Sequence, residues 1–205
     1  MGFFDKLLGT AGSSNPEPVE RVISFDSNWF DSWESLRIEQ ERSPFPVSVK
    51  VSFDTELLRE IWNSIEQHAS IGRVTYDEQQ QHINNVGESF VQNGIAAFCD
   101  GEPGDDLGWL AGFLLPEMAN GYDKTAVAIY VLRVSESGLD SESPFRIVQG
   151  GYMDKDSAKK VHKKILNFMG KNLFIPLLIT IHGGTQEKPN YGVFAYAKTK
   201  AIQFP

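Results

Sequence analysis

The side chains best able to do chemistry in this sequence are four histidines, one cysteine, a pair of adjacent aspartates and a run of lysines. His68, His82, His162 and His182 never pair with one another or with Cys99 at metal-ligand spacing, so no zinc site is expected. A cysteine near histidines in sequence is not a nucleophile–base dyad, because the base must reach the thiol in space. Asp105 and Asp106 sit in a loop containing glycine and proline, where solvated carboxylates are the simpler reading. There is no Gly-x-x-x-x-Gly-Lys-Ser/Thr loop, no Gly-x-Ser-x-Gly elbow, and no Gly-x-Gly-x-x-Gly after a strand. This census assigns no catalytic residue, no metal and no cofactor. It points to a non-catalytic binding module rather than an enzyme.

The lysines carry the remaining signal. Lys155, Lys159, Lys160, Lys163 and Lys164 fall in one short stretch. Residues 151–205 hold nine lysines against three acidic side chains, although the whole chain has a formal net charge of −8. A global −8 opposes nonspecific binding to a polyanion. A local cluster can still attract phosphate, because charge beyond a Debye length of about 8–10 Å is largely screened. The same cluster also reads as a solvated helix face. Like charges at i,i+4 cost about 0.2–0.5 kcal/mol per pair, so their concentration hints at a use.

These residues must be positioned by a folded scaffold, and the composition supplies one. The chain has 205 residues, of which 41% are hydrophobic and 12% aromatic, enough for a substantial core. That excludes a wholly disordered chain, a coiled coil and a collagen-like repeat. With one cysteine, no disulfide can form within the chain, and a reduced compartment is expected. The longest apolar run, Leu173 to Ile181, is broken by Pro176 and falls short of the roughly 20 residues of a membrane span. No basic segment and cleavage site precede an apolar stretch. The expectation is a soluble, cytoplasmic, acidic globular protein without a membrane partner.

Residues 1–19 read as a flexible N-terminal segment and linker, amphipathic over Met1 to Leu8 and rich in Gly, Ser and Pro after it. Residues 20–80 read as an α+β region. Val22 to Phe25 predicts a strand, and Trp29, Phe30, Trp33 and Leu36 recur at helical spacing. Val47, Val49, Val51 and Phe53 alternate with polar residues, the pattern of a half-buried strand. Asp54 or Thr55 can cap a helix with Leu57, Leu58, Ile61, Trp62 and Ile65 inward. Ile71 to Tyr76 predicts another strand.

From residue 83 the pattern changes to short strands and turns. Ile83 to Val91 predicts a strand with a bulge at Gly87. An acidic loop from Asp100 to Gly108 precedes the apolar run Leu110 to Leu115. Met118 to Lys124 predicts a turn, and Ala126 to Val134 a central strand. After the polar loop Ser135 to Pro144, Phe145 and Ile147 predict a strand ending in a tight turn at Gly150-Gly151. Asp154 or Asp156 can cap a helix with Ala158, Val161, Ile165 and Phe168 inward and the lysines outward, stopping at Gly170. Phe174 to His182 and Tyr191 to Lys198 predict a closing hairpin.

Pro116-Glu117-Met118-Ala119-Asn120-Gly121-Tyr122-Asp123-Lys124-Thr125-Ala126-Val127 resembles the signature of HIRAN domains, roughly Glu-Pro-x-Asn-Pro-Tyr-Asp-x-Asn-Ala before an apolar strand. Val86-Gly87-Glu88-Ser89-Phe90 is similar to the family's first strand, and Gly151-Tyr152-Met153-Asp154-Lys155 to its Gly-Tyr-Leu step before a helix. Ile179 to Tyr196 is similar to the terminal hairpin. The resemblance, to a stand-alone, bacterial-type member, covers residues 83–198. It implies an α+β fold: a small OB-like β-barrel with accessory helices over 83–200, plus the N-terminal α+β extension. It also implies binding of single-stranded DNA or a DNA 3′ end, a role the domain has in members fused to helicases and nucleases.

On that resemblance, Phe90 and Tyr122 could stack on bases, and Asp123 and Asn120 could bind a terminal sugar hydroxyl. Lys155 and Lys159 could hold backbone phosphate, with Tyr152 on the same side and Tyr191 contributed by the last hairpin. The sequence departs from the pattern at Gly121, where proline is usual, at Thr125, where asparagine is usual, and at Ser89, where some members carry a basic residue. The loops 100–109 and 135–144 look like acidic insertions that could repel DNA. Each residue also has a structural reading: Asp123 and Asn120 as turn acceptors, Phe90 as core, Tyr152 as a barrel cap. The alternative function is a protein-interaction module, in which the aromatic N-terminal region meets a partner and the barrel has lost DNA binding.

Overall fold

A computed structural model describes residues 19–25, 29–42, 47–70, 80–117, 123–171 and 174–198. The expected N-terminal segment before residue 19, the strand Ile71 to Tyr76, and Asn120 and Tyr122 lie outside the described residues. The chain begins with a parallel pair, β1 (Val19–Phe25) and β2 (Val47–Phe53), joined by the crossover helix α1 (Trp29–Arg42). Asp54 then starts α2 (Thr55–Ser70) by accepting the Glu56 and Leu57 amides, at 2.8 and 3.4 Å. Leu57, Leu58 and Ile61 are buried and Trp62 is partly buried, as the helical spacing predicts.

Seven further strands form one antiparallel sheet: β3 (Gln80–Ile83), β4 (Asn85–Val86), β5 (Leu110–Pro116), β6 (Val127–Val134), β7 (Phe145–Met153), β8 (Ile175–Gly183) and β9 (Tyr191–Lys198). Their order is β3-β9-β8-β5-β6-β7-β4. The two ends of that order are consecutive pieces of one stretch, 80–86, so the sheet curls into a nearly closed barrel. Closure leaves few unpaired strand edges. Asn85 fastens the seam: its amide donates to the carbonyls of Gly150 on β7 and Val193 on β9, each at 3.1 Å. β6 is central, between β5 and β7, and β8 and β9 form the closing hairpin.

Burial follows from what covers each strand. β8 alternates buried and partly exposed residues, one face inward and one outward. β5 is buried at all seven positions, because it has barrel interior on one side and helix and aromatic packing on the other. Phe53 of β2 meets Phe113 and Tyr130 of the barrel edge to face, at 5.6 and 5.2 Å. Trp62 packs near Phe145, and Arg59 donates to the Leu139 carbonyl of the 135–144 loop. The N-terminal unit and the barrel therefore share one apolar core.

Two expectations are corrected. Ile83 to Val91 is not one bulged strand. Gly87, at φ +81, ends β4, a 3-10 turn spans Glu88–Phe90, and α3 (Gln92–Cys99) follows. A positive φ is cheap for glycine and turns the chain out of the sheet. Ile95, Phe98 and Cys99, at i, i+3 and i+4, then bury one helix face. Nor does β7 end in a turn at Gly150-Gly151; it continues through both glycines to Met153. Asp154 caps α4 (Lys155–Met169) through the Ser157 amide at 3.0 Å. Ala158, Val161, Ile165 and Met169 form the buried stripe of α4, with Phe168 only partly covered. No helix of the described residues is long and apolar enough to cross a membrane.

Candidate functional site

The site is built where β4, β7, the β5–β6 connection and the start of α4 meet. Pairing of Val86 with Tyr152 sets the 3-10 turn beside the end of β7. Phe90 projects from that turn with 89% of its surface exposed, so it is not a core residue. A Cβ on Gly87 would lie 3.4 Å from the Tyr152 ring and 3.7 Å from the Phe90 ring. The two rings thus flank one glycine. A ring this exposed gains little from burial, so Phe90 is not held there by the core.

Tyr152 is half-buried between β4 and β6. Its hydroxyl pKa is pushed up to about 12, first by burial and then by its hydrogen bond to the Glu117 carboxylate. It therefore stays a neutral phenol and a donor through the physiological range. Glu117 closes β5 onto β6 by donating its amide to Ala126, whose own amide donates to the Asp123 carbonyl. A chain of hydrogen bonds therefore runs from Tyr152 through Glu117 and Ala126 to Asp123.

One Asp123 carboxylate oxygen, Oδ1, accepts the Thr125 amide at 2.8 Å and the Thr125 hydroxyl at 2.7 Å. The other, Oδ2, stands 3.9 Å from Lys155 Nζ. The Thr125 bonds are the main cause that holds the Asp123 carboxyl below its ordinary range; Lys155 adds to it and burial opposes it. Lys155 is 77% exposed, and an ion pair of this exposure contributes only about 0–1 kcal/mol, so its ammonium stays available to an anion. Lys159, one helical turn on, is exposed, as are Lys160, Lys163 and Lys164. His162, on the inner flank of α4, is pushed toward its neutral form by burial, and Asp123 opposes that shift.

This arrangement makes a pH prediction. The lowered Asp123 pKa means its stabilising contribution is complete above the ordinary carboxylate value of about 4 and is lost as pH falls through the folded value. Thr125→Val removes the hydroxyl donor while keeping the amide. The Asp123 titration, followed by carboxyl NMR, should then move up toward the ordinary range. An unchanged midpoint would show that the hydroxyl does not hold the carboxylate.

The structure brings Phe90, Tyr152, Asp123, Lys155 and Lys159 to one rim of the barrel. Tyr191 is not among them. Its ring is buried against Gly184 and its hydroxyl donates to the Glu102 carbonyl at 3.2 Å. Only its backbone approaches the rim, through paired bonds to the Gln92 side chain. Glu117 and His162, which join the rim, carry no site role in the sequence reading; the strand register and helix face place them there. Three carboxylates of the acidic loop 100–108 have partners within the protein. Asp100 pairs with Arg146 at 3.0 Å, Glu102 with Arg133 at 3.9 Å, and Asp105 with His182. Among the described residues, no group of three His, Cys, Asp or Glu side chains could hold a metal ion.

Fold and site together define an α+β protein with a nearly closed seven-strand antiparallel barrel, carrying an aromatic and cationic rim. Compared with known proteins, the chain matches no family model, no curated protein and no solved structure.

Proposed function

We propose that this chain is a non-catalytic, HIRAN-like module whose OB-like barrel binds single-stranded DNA, or a DNA 3′ end, at the Phe90–Lys155 rim. The observation that carries the reading is Phe90, 89% exposed beside the Tyr152 ring, with the Asp123–Lys155 pair on the same rim. A base stacks on an exposed ring and a lysine holds the adjoining phosphate. A carboxylate near the terminus accepts a sugar hydroxyl and repels a terminal phosphate. In the acidic loop 100–108, Asp100 and Glu102 pair with Arg146 and Arg133, which lowers the repulsion that loop offers a strand.

Fluorescence anisotropy with labelled single strands ending in a 3′ hydroxyl or a 3′ phosphate tests it. Wild type should bind at low salt, weaken as salt rises, and prefer the hydroxyl. Phe90→Ala should weaken binding about 5- to 150-fold, the equivalent of one lost stacking contact. Asp123→Asn keeps the Thr125 acceptor and should remove the hydroxyl preference. No binding at low salt to either strand would reject the reading.

A second reading, a protein-interaction module, is favoured by one observation. Asp123 Oδ1 accepts two bonds from its own turn, the role of a structural aspartate. On that reading Asp123→Asn changes stability and no binding.

A further inference from the structure

The barrel carries a second exposed aromatic surface, on the outer face of β3, β9 and β8. Phe194 lies at its centre, 41% exposed, with the His82 ring 6.2 Å away on β3 and the His182 ring 5.1 Å away on β8. Tyr196 follows along β9, 5.4 Å from His82, and Trp109, 45% exposed, stands 6.0 Å from Tyr196. The register produces this set. His82 pairs with Tyr196, and Thr180 with Phe194, while Val193, Ala195, Ala197, Ile179 and Ile181 point into the barrel. Five rings on three strands and the residue before β5 therefore share one outward face.

That face leads to the rim. Along 80–86, His82, Asn84 and Val86 are exposed and alternate with the more buried Ile83 and Asn85, so this outward row runs straight into the turn bearing Phe90. Gln92 holds the same turn against Tyr191 at the start of β9. Between them Gly192 presents no side chain; a Cβ there would touch only the Phe194 ring. Of the six large hydrophobic residues exposed among the described residues, Val86, Phe90, Trp109 and Phe194 all lie on this path. So many exposed rings in one place mark a contact surface.

We propose that this face is a stacking track that continues the rim and takes successive bases of an extended single-stranded nucleic acid. The proposal rests on the nucleic-acid reading of the rim. The ligand class follows from the chemistry of the track. Every base offers a π-face, and ring-lined surfaces bind single strands with little sequence preference. Asp105, whose carboxylate bonds to the track at His182, also accepts the Gly183 amide, and Lys188 stands near it. The strand meets rings, imidazoles and a lysine, with the internucleotide phosphate next to its 3′ hydroxyl toward Lys155.

The test uses oligo(dT) strands of three and ten nucleotides, labelled at the 5′ end with a free 3′ hydroxyl, at low salt. Wild type should bind the ten-mer at least about tenfold more tightly than the three-mer. Phe194→Ala and Trp109→Ala should each cut ten-mer affinity about fivefold or more and leave the three-mer unchanged. Phe90→Ala should weaken both. Both ladder positions are exposed, so circular dichroism should show wild-type folds. Ten-mer binding by the ladder variants equal to wild type, or no gain with length, overturns the track and leaves the rim reading standing. Failure of wild type to bind either length overturns both. Concentration-dependent dimerisation that Phe194→Ala abolishes would assign the face to a second copy of the chain and overturn the proposal.

Discussion

Phe113→Ala is expected to lower the free energy of unfolding by about 3–5 kcal/mol. Phe113 is fully buried on β5. Its ring stacks on Tyr130 at 5.4 Å and meets Phe53 and Phe174 edge to face at 5.6 and 5.3 Å. Truncation loses the transfer free energy of the ring and leaves a cavity walled by three aromatic side chains. Tyr130 and Phe53 cannot collapse into it, because the strands bearing them are fixed in the barrel and in the β1–β2 pair. Each lost ring pair adds about 0.5–1.5 kcal/mol beyond area burial. Urea unfolding followed by circular dichroism measures the loss, and a change under about 1 kcal/mol would show that these contacts carry little. Phe53→Leu tests the link between units. In a double-mutant cycle the two changes should be non-additive, because they share one cluster. Strict additivity would mean that the N-terminal unit does not depend on the barrel for its packing.

Where neighbouring residues alone decide the outcome, the sequence reads correctly. Val47 to Phe53 alternates and is a strand; Asp54 and Asp154 cap the helices they precede. Where a distant segment decides, it does not. Residues 80–86 pair with β9 and then with β7, and that switch closes the barrel. Within 83–91 the only local sign is Gly87, and a bulge and a positive-φ turn both call for glycine there. α3 is short, with three buried residues in eight, too few turns for a periodic signal. The candidate site divides the same way. Phe90 and Tyr152 are 62 positions apart and both come to Gly87 because Val86 pairs with Tyr152. Tyr191, expected at the rim, shares parity with the buried Val193, Ala195 and Ala197, and strand alternation turns it inward with them. Phe194 and Tyr196 share the opposite parity, but only the register of three strands sets His82 and His182 beside them.

The second large effect is expected at the barrel seam. Gly151 lies inside β7 at φ +138, a conformation side chains rarely adopt. A Cβ there would sit 2.3 Å from Asn85 Oδ1 and 2.9 Å from the Val86 carbonyl oxygen. The second contact is with backbone and cannot swing away. The first presses on the side chain that bridges Gly150 and Val193 across the seam. Backbone strain of about 1–3 kcal/mol adds to overpacking of about 1–3 kcal/mol, so Gly151→Ala should destabilise by about 2–6 kcal/mol. The neighbouring glycine is a matched control. The atoms nearest a Cβ on Gly150 are Val131 and Val193 methyl groups, at 3.0 and 3.1 Å, where side chains can give. Gly150→Ala should therefore cost clearly less, and equal melting temperatures for the two variants would refute the argument. The seam also joins stability to the site, because β4 holds Phe90's turn against Tyr152. In Gly151→Ala, amide exchange should accelerate first at Asn85, Val86 and Tyr152. If those amides open while the β8–β9 hairpin stays protected, the rim is the weakest cooperative unit of the barrel. A ligand bridging Phe90 and Tyr152 would then raise stability most at this seam.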